Sequence, residues 1–197
     1  MIILNKKKLS KAVDYLQAGK TIVFPTETSY GLGCDATNQA AVDKIFKIKE
    51  REKNKPLLVI VSSIEMAKLY LQWNKIIDKL AIKYWPGSLT IVGRPVMNLT
   101  DGVISSDNTL AARVTNNPIA KFLSEKLGRP IVATSANISG QSDIYDSAEI
   151  KKLYDHKKNI PDCLLDFGII HKRKPTTIVS VINGIKILRQ GEIEINF

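Results

Sequence analysis

The most informative stretch of this chain is Phe24-Pro25-Thr26-Glu27-Thr28-Ser29-Tyr30-Gly31-Leu32-Gly33. The apolar run that ends at Phe24 predicts a buried strand, and Pro25 stops it because proline has no N–H to donate to a sheet. Three hydroxyl side chains, one carboxylate and two glycines follow. A loop of this composition exposes backbone N–H groups and hydroxyls together. It suits an anionic or amino-acid ligand better than it suits a protein core.

Further strands and helices alternate along the chain. Apolar runs predict strands at residues 2–4, 21–24, 57–61, 89–92, 109–114, 131–134, 163–166 and 177–182. Capping residues before apolar residues at helical spacing predict helices that begin at Ser10, Asn38, Ser62 or Ser63, Asn74, Asn117 and Ser147. The pair Asn183-Gly184 predicts a tight hairpin. This mixture predicts one α/β domain over residues 1–197, with a twisted mixed β-sheet flanked by helices.

Polar loops follow two of the predicted strands. The first begins after Phe24, and the second is Ser135-Ala136-Asn137-Ile138-Ser139-Gly140, after the strand at 131–134. Ligands of open α/β sheets bind at the carboxyl ends of strands. We therefore expect the two loops to line one cleft.

The composition is that of a globular protein with a strong positive charge. The chain has 197 residues, 44% of them hydrophobic, and a formal net charge of +10 at pH 7. This charge favours a polyanionic partner, either nucleotide phosphates or RNA, and does not distinguish the two. The cysteines Cys34 and Cys163 form no C-x-x-C pair, so neither a zinc site nor a redox motif is indicated. The sequence lacks a signal-peptide pattern and an apolar run of roughly 20 residues, so we expect a cytoplasmic protein without a membrane span.

Motifs of several common enzyme classes are missing from the sequence. It contains no G-x-x-x-x-G-K-[ST] loop, no G-x-G-x-x-G, no G-x-S-x-G and no H-E-x-x-H. The two histidines, His156 and His171, are expected on the surface. What remains is a set of cations and hydrogen-bonding groups without a nucleophile: Lys49, Arg51, Lys55, Arg113, Ser135, Asn137 and Arg189. Nucleotidyl transfer fits this set, because it requires positioned anions and neutralised charge.

The segment 47–56 has two interpretations. Lysine or arginine occupies every odd position from 47 to 55, so an extended segment would carry these cations on one face. At the end of a helix the same residues would instead complement the helix dipole. The sequence leaves both interpretations open.

Six blocks, in order along the chain, resemble a known family. They are P-T-E-T-x-Y-G-L-G at 25–33, K-x-R at 49–51, W-P-G-S-L-T at 85–90, A-R-V with N-P at 112–118, S-A-N at 135–137 and R-x-G at 189–191. They resemble the threonylcarbamoyl-AMP synthases, the YrdC-like family, in its short single-domain form. The resemblance covers nearly the whole chain and implies a single YrdC-like domain around a basic concave cleft.

The resemblance implies an ATP-dependent nucleotidyltransferase. Such an enzyme makes threonylcarbamoyl-AMP and pyrophosphate from L-threonine, bicarbonate and ATP, with Mg²⁺ as the cofactor. The product serves the N6-threonylcarbamoyladenosine modification of tRNA next to the anticodon. The implied partner is a downstream tRNA threonylcarbamoyl-transfer complex, and direct contact with tRNA stays open.

The same resemblance assigns roles to individual residues by matching position. The catalytic set is Lys49, Arg51, Ser135 and Asn137. These four bind ATP together with Lys55, Thr109 and Arg189. L-Threonine is assigned to Thr28, Arg113 and Thr176, with Arg113 holding the carboxylate. No residue is assigned to a metal.

Two positions depart from the family pattern, and two other functions compete with the first. Ile60 stands where long members often carry histidine, and Ser180 stands where many carry aspartate. Because the sequence ends near residue 197, we expect no C-terminal domain like that of long members. One alternative is a non-catalytic protein that binds double-stranded RNA or tRNA, and the other is a carbamoyl-transfer module related to hydrogenase maturation. An ATP site predicts that the cations converge in one cleft, whereas an RNA-binding protein predicts a basic stripe across the surface.

Overall fold

The strands form two mixed sheets. The computed structural model describes residues 1–97 and 99–196, and Asn98 and Phe197 lie outside the described residues. The strands in this part of the chain are β1 (Ile2–Asn5), β2 (Ile22–Pro25), β3 (Tyr30–Gly33), β4 (Val59–Val61), β5 (Leu89–Gly93), β6 (Leu110–Val114), β7 (Ile131–Val132), β8 (Thr134–Ser135), β9 (Cys163–Asp166), β10 (Thr177–Ser180) and β11 (Lys186–Arg189). Their arrangement confirms the α/β class with mixed strand directions.

The first sheet has the strand order β1-β9-β2-β3-β8. Strand β9 runs parallel to β1 and β2, whereas β3 is antiparallel to both of its neighbours. The residues Tyr30–Gly33, expected in a loop, therefore belong to a strand. The polar loop after Pro25 is reduced to residues 26–29, where Thr26 Oγ1 donates to the Ser29 carbonyl at 2.7 Å.

The second sheet has the order β11-β10-β5-β6-β4-β7. Its inner strands β10 and β5 are parallel, as are β6 and β4, while β5 and β6 are antiparallel. Strand β6 carries Arg113 in the middle of this sheet. The predicted hairpin at Asn183-Gly184 is confirmed, since β10 and β11 pair antiparallel on either side of it.

The prediction of a single sheet is wrong because the strand expected at 131–134 is divided. Ile131–Val132 pairs with β4 of the second sheet, and Thr134–Ser135 pairs with β3 of the first. The two sheets approach closely here, since Val132 N donates to the Cys34 carbonyl at 2.9 Å. An apolar run predicts a strand but not the partner with which it pairs.

Within the described residues six α-helices flank the sheets, and most of their ends follow the predicted caps. They are α1 (Leu9–Gln17), α2 (Gln39–Lys49), α3 (Ile64–Tyr70), α4 (Lys75–Tyr84), α5 (Pro118–Leu127) and α6 (Ser147–Tyr154). The side chains of Asn38, Ser63, Asn74 and Asn117 accept hydrogen bonds from first-turn N–H groups, as expected of N-caps.

Two predicted caps are wrong. Helix α1 begins at Leu9 after a 3₁₀ turn at Lys6–Lys8, so Ser10 lies inside it. Helix α6 is capped by Asp146, and the hydroxyl of Ser147 instead donates to Asp166 Oδ1 at 2.6 Å.

The cationic segment 47–56 does not form one extended face. Helix α2 continues to Lys49, and Glu50, with φ of 51°, ends it in the left-handed conformation. Beyond the helix, Lys53 Nζ lies 2.8 Å from Asp43 Oδ1. The helix-end interpretation is therefore confirmed for the first half of the segment.

Buried apolar side chains hold the helices against the sheets. The smaller of two core clusters includes Leu16 of α1, Leu123 of α5 and Phe24 of β2, and each contributes about 1.5–3 kcal/mol by leaving water. The larger cluster fills the space around both sheets. Within the described residues, no helix combines the length and the apolar character that crossing a membrane requires.

Candidate active site

A cleft of about 450 Å³ lies where the two sheets meet. It is lined by the loop 26–29 and β8 of the first sheet and by residues of β5, β6, β10 and β11 of the second. Both predicted polar loops reach it, since Thr28 and Ser135 line the same cleft. The expectation that the two loops share a cleft is confirmed.

The cleft gathers seven of the ten residues to which the sequence assigned a role. These are Thr28, Arg51, Thr109, Arg113, Ser135, Thr176 and Arg189. The other three, Lys49, Lys55 and Asn137, do not line it. Lys55 is exposed, and its Nζ lies 3.3 Å from Glu52 Oε2, so the structure does not bring it to the cleft wall.

Lys49 is a buried residue and not a mobile cation. Only 2% of it is exposed, and its Nζ donates to the carbonyl oxygens of Ser135 at 2.5 Å and Asn137 at 2.8 Å, and to Asn137 Oδ1 at 3.0 Å. Burial, with a smaller effect of Arg51, lowers the pKa of Lys49 to about 8. Lys49 therefore acts on the cleft through the polar loop that it holds.

Asn137 completes this arrangement from behind the cleft wall. Its Oδ1 accepts a second hydrogen bond, from Ser135 Oγ at 2.6 Å, and its Nδ2 donates to the Gln141 carbonyl. Ser139 N donates to the Lys49 carbonyl at 2.9 Å. The loop is thus fixed at both ends, and Ser135 is the member of this group that lines the cleft.

Arg51 reaches the cleft because the chain reverses at Glu50. Its backbone N donates to the Phe46 carbonyl at 3.1 Å, and its Nε donates to the Lys55 carbonyl at 2.9 Å. Partial burial lowers the pKa of Arg51 from its usual value, although arginine stays protonated in proteins. One edge of the guanidinium is therefore anchored by the loop that follows α2.

Arg113 is buried beside a carboxylate that the sequence analysis left without a role. Its Nη2 lies 3.3 Å from Glu27 Oε2, and both side chains are 4% exposed. Thr115 Oγ1 donates to the Glu27 carboxylate, 3.0 Å from Oε1 and 3.1 Å from Oε2. Burial lowers the pKa of Arg113, and Glu27 opposes that change. The sequence signal for Glu27 was its place as the one acid in the first polar loop.

One donor of Arg113 stays unsatisfied. Among the described residues, its buried Nε–H has no hydrogen-bond partner, although Arg113 lines the cleft. A buried polar group without a partner is uncommon in native proteins. Because Arg113 lines the cleft, its charged guanidinium is near enough to attract an anionic group of a ligand.

Arg189 is another cation at the cleft, and Thr176 holds its guanidinium in place. Arg189 Nε and Nη2 donate to the Thr176 carbonyl at 3.0 and 2.9 Å, and Nη2 also reaches Thr176 Oγ1 at 3.0 Å. Thr176 Oγ1 lies 3.0 Å from Thr90 Oγ1. These contacts attach the edge strand β11 to the cleft wall.

The described residues contain no cluster of three or more histidine, cysteine or acidic side chains that could hold a metal by themselves. The cleft wall carries one carboxylate, Asp143, which the sequence analysis missed because a lone aspartate in a loop gives no motif. Mg²⁺ often binds through one or two carboxylates together with the phosphates of a substrate. The residues present therefore fit an ion that enters with a nucleotide.

The remaining predicted positions lie away from the cleft. Ile60 is buried in the core, and neither it nor Ser180 lines the cleft. His156 and His171 are exposed, as expected. The two departures from the family pattern therefore do not alter the cleft wall directly.

Comparison with known proteins places this fold and cleft in a family. A protein-family model described as "Sua5_yciO_yrdC: Telomere recombination" matches residues 14–191. The chain belongs to this Sua5/YciO/YrdC family. It is similar to a protein of Pseudoalteromonas translucida (strain TAC 125) named threonylcarbamoyl-AMP synthase, with 34% identity over 188 residues that cover 94% of this chain and 98% of the relative.

Solved structures show the same fold. A structure of P. abyssi Sua5 complexed with L-threonine is 30% identical, with a TM-score of 0.89, and the match covers 97% of this chain and 58% of that one. This chain therefore spans little more than half the length of that Sua5. A structure of E. coli YciO is 24% identical, with a TM-score of 0.84, and the match covers 96% of this chain and 94% of that chain.

Proposed function

We propose that the protein is an L-threonylcarbamoyladenylate synthase, which makes threonylcarbamoyl-AMP and pyrophosphate from L-threonine, bicarbonate and ATP. The observation that carries this proposal is the convergence of Arg51, Arg113 and Arg189 with several hydroxyl side chains on one cleft. A relative that matches nearly end to end has the name of this activity. Arginine binds carboxylate and phosphate groups through paired hydrogen bonds.

The amino acid occupies the end of the cleft near Arg113. The guanidinium of Arg113 suits the carboxylate of L-threonine, and Thr28 and Thr176 supply hydroxyl groups at the same cleft. The P. abyssi Sua5 structure with L-threonine supports an amino-acid site in this fold. Glu27 and Thr115 hold the guanidinium in place and keep it charged.

The triphosphate occupies the end near Arg51, Ser135 and Arg189, with Thr109 on the same wall. The amine of L-threonine and bicarbonate condense to a carbamate and water, and an oxygen of the carbamate then attacks the α-phosphorus of ATP. A new O–P bond forms, and the bond to the pyrophosphate breaks. Arg51 and Arg189 neutralise the charge that accumulates on the phosphates, and Ser135 orients them. When bound, Mg²⁺ supplies further neutralisation of phosphate charge, with Asp143 as the available carboxylate.

Lys49 and Asn137 act as positioning residues in this proposal. They keep Ser135 and its loop at the wall through the hydrogen bonds described above. The proposal gives Lys55 no contact with ATP, because its amine pairs with Glu52 and it does not line the cleft.

The product is an activated mixed anhydride, so a transfer reaction must consume it. We expect a tRNA threonylcarbamoyl-transfer complex to do so, at the adenosine next to the anticodon, in the cytoplasm. Direct contact with tRNA stays a prediction. A purely RNA-binding function is not favoured, because three arginines converge on one cleft as an ATP site predicts.

The test measures pyrophosphate release from ATP in the presence of Mg²⁺ and bicarbonate, with and without L-threonine. We expect release that depends on L-threonine, and a loss of roughly 100-fold in the variant Arg51→Ala. Lys53→Ala is the matched control, because Lys53 pairs with Asp43 at 2.8 Å and does not line the cleft. Folded protein that releases no pyrophosphate at saturating substrates would overturn the proposal.

A further inference from the structure

Asp143 stands out among the residues of the cleft. It is the one acidic residue among the described residues that line the wall, which carries three arginines. It follows the loop that Lys49 and Asn137 fix, a few residues beyond Gln141. Asp143 and Ser135 therefore reach the cleft from the same segment of the chain.

Asp143 is not used by the protein to hold another side chain. None of the ion pairs found in residues 1–97 and 99–196 includes it. Glu27 provides the contrast, because that carboxylate is buried against Arg113 and accepts a hydrogen bond from Thr115. Asp143 thus keeps its carboxylate oxygens available on the cleft side.

A free carboxylate is unfavourable in a site for a triphosphate unless a cation lies between them. Asp143 lies near the cations on the nucleotide side: burial lowers the pKa values of Lys49 and Arg189, and the charge of Asp143 partly opposes that change for both. It has no such effect on Arg113, where the amino acid is placed. Its position and its negative charge therefore put Asp143 beside the proposed site of the phosphates.

We propose that Asp143 provides the protein carboxylate for the divalent cation that accompanies the triphosphate. This inference rests on the proposed function. Mg²⁺ takes oxygen ligands and keeps several waters, so one carboxylate and the phosphates suffice to hold it. Asp143 thereby makes nucleotide affinity depend on the metal, since without a cation its charge repels the phosphates.

The test measures the binding of a non-hydrolysable ATP analogue by calorimetry, in Mg²⁺ and in EDTA. We expect the wild-type protein to bind roughly tenfold more tightly in Mg²⁺, and Asp143→Asn to lose this difference. In EDTA the variant should bind at least as tightly as the wild type, because the repelling charge is gone. Asp155→Asn is the matched control, since Asp155 is exposed and lies outside the cleft.

A second measurement follows Mn²⁺ by electron paramagnetic resonance. Wild-type protein with the analogue should immobilise Mn²⁺, and Asp143→Asn with the analogue should not. If Asp143→Asn keeps the wild-type ratio between the analogue affinities in Mg²⁺ and in EDTA, the inference is overturned and the proposed function stands. If it weakens L-threonine binding and leaves the metal dependence unchanged, the carboxylate serves the ammonium group and the inference is again wrong. Wild-type protein that binds no nucleotide in either buffer overturns the proposed function as well.

Discussion

At the scale of single residues, the cleft depends on charges that the protein keeps away from water. Arg113 and Glu27 form a buried ion pair, and breaking such a pair by removing one member costs about 3–5 kcal/mol. An alanine at position 113 would therefore change stability and substrate binding together. Lysine keeps the positive charge but loses the planar fork and the Nε–H.

We expect Arg113→Lys to raise the apparent KM for L-threonine by roughly tenfold and to leave that for ATP nearly unchanged. The reason is that, in the proposed arrangement, the guanidinium of Arg113 binds the amino-acid carboxylate and not the triphosphate. Steady-state kinetics with each substrate varied in turn measures both values. Arg94→Lys is the control, because Arg94 is exposed, does not line the cleft and donates from Nη1 to the carbonyls of Asp107 and Asn108. Equal changes in the two KM values would contradict the role of Arg113.

Lys49 gives a second prediction, on stability. Lys49→Ala removes the donor for three oxygens of the Ser135–Asn137 loop, so the free energy of unfolding should fall by about 2–4 kcal/mol. Urea titration measures this value. Lys53→Ala, at an exposed ion pair, should change it by less than about 0.5 kcal/mol. Wild-type stability in Lys49→Ala would show that the loop does not need this amine.

The loss of stability in Lys49→Ala should also depend on pH. Burial lowers the pKa of Lys49 to about 8, whereas an unfolded lysine titrates near 10.4. Between these values the unfolded chain binds more protons, so the stability of the wild type rises with pH relative to the alanine variant. In urea titrations, the free energies of unfolding of the two proteins should therefore differ more at pH values between these two pKa values than at neutral pH.

At the scale of elements, the central feature is the division of the segment 131–135 between two sheets. Gly33 of β3 makes this close approach possible, because a Cβ at this position would overlap the carbonyl oxygen of Val132 and lie 2.9 Å from Phe24 Cε1. Ser135, on the second half of the segment, pairs with Gly31 in the neighbouring strand. The position of a cleft hydroxyl thus depends on a glycine that does not touch the cleft.

We expect Gly33→Ala to lower the free energy of unfolding by about 3 kcal/mol, since the added methyl group meets backbone that cannot move aside. Gly93→Ala is the control in another buried strand. There the nearest atom to an added Cβ is Leu71 Cδ2 at 3.3 Å, and a side chain can yield. Thermal or urea unfolding compares the two variants, and an equal effect of both would contradict the close approach of β3 and β7.

At the scale of the whole molecule, two sheets and their loops enclose one charged cleft. The net charge of +10 attracts anions to the protein in general, and three arginines concentrate that attraction in the cleft. A ligand that bridges the sheets should stabilise the folded state, because it binds only when both walls are in place.

We expect a non-hydrolysable ATP analogue at about 100 times its Kd to stabilise the protein by about 2.7 kcal/mol. For a chain of this size, the midpoint of thermal unfolding should rise by about 5–10 °C. Calorimetry with and without the analogue measures the shift, and Arg51→Ala should abolish most of it. A full shift in that variant would place the nucleotide elsewhere.

The sequence alone determined most helices and strands, the α/β class and the two polar loops of the cleft. These features follow from local signals such as the cap at Asn117, the apolar run of β6 and the hairpin at Asn183-Gly184. The family resemblance also named seven candidate residues that the fold brings to one cleft. Such signals act between residues close in the chain, so they can be recognised from the sequence alone.

Only the tertiary structure decided how distant segments meet. Lys49 and Asn137 are 88 positions apart, as are Glu27 and Thr115, and no local pattern specifies either pair. The same holds for the division of 131–135 between two sheets and for the place of Asp143 at the wall. Burying a charge is favourable only where a partner from elsewhere in the chain arrives beside it. The burial of Lys49 and the Arg113–Glu27 pair are therefore consequences of packing and not of sequence pattern.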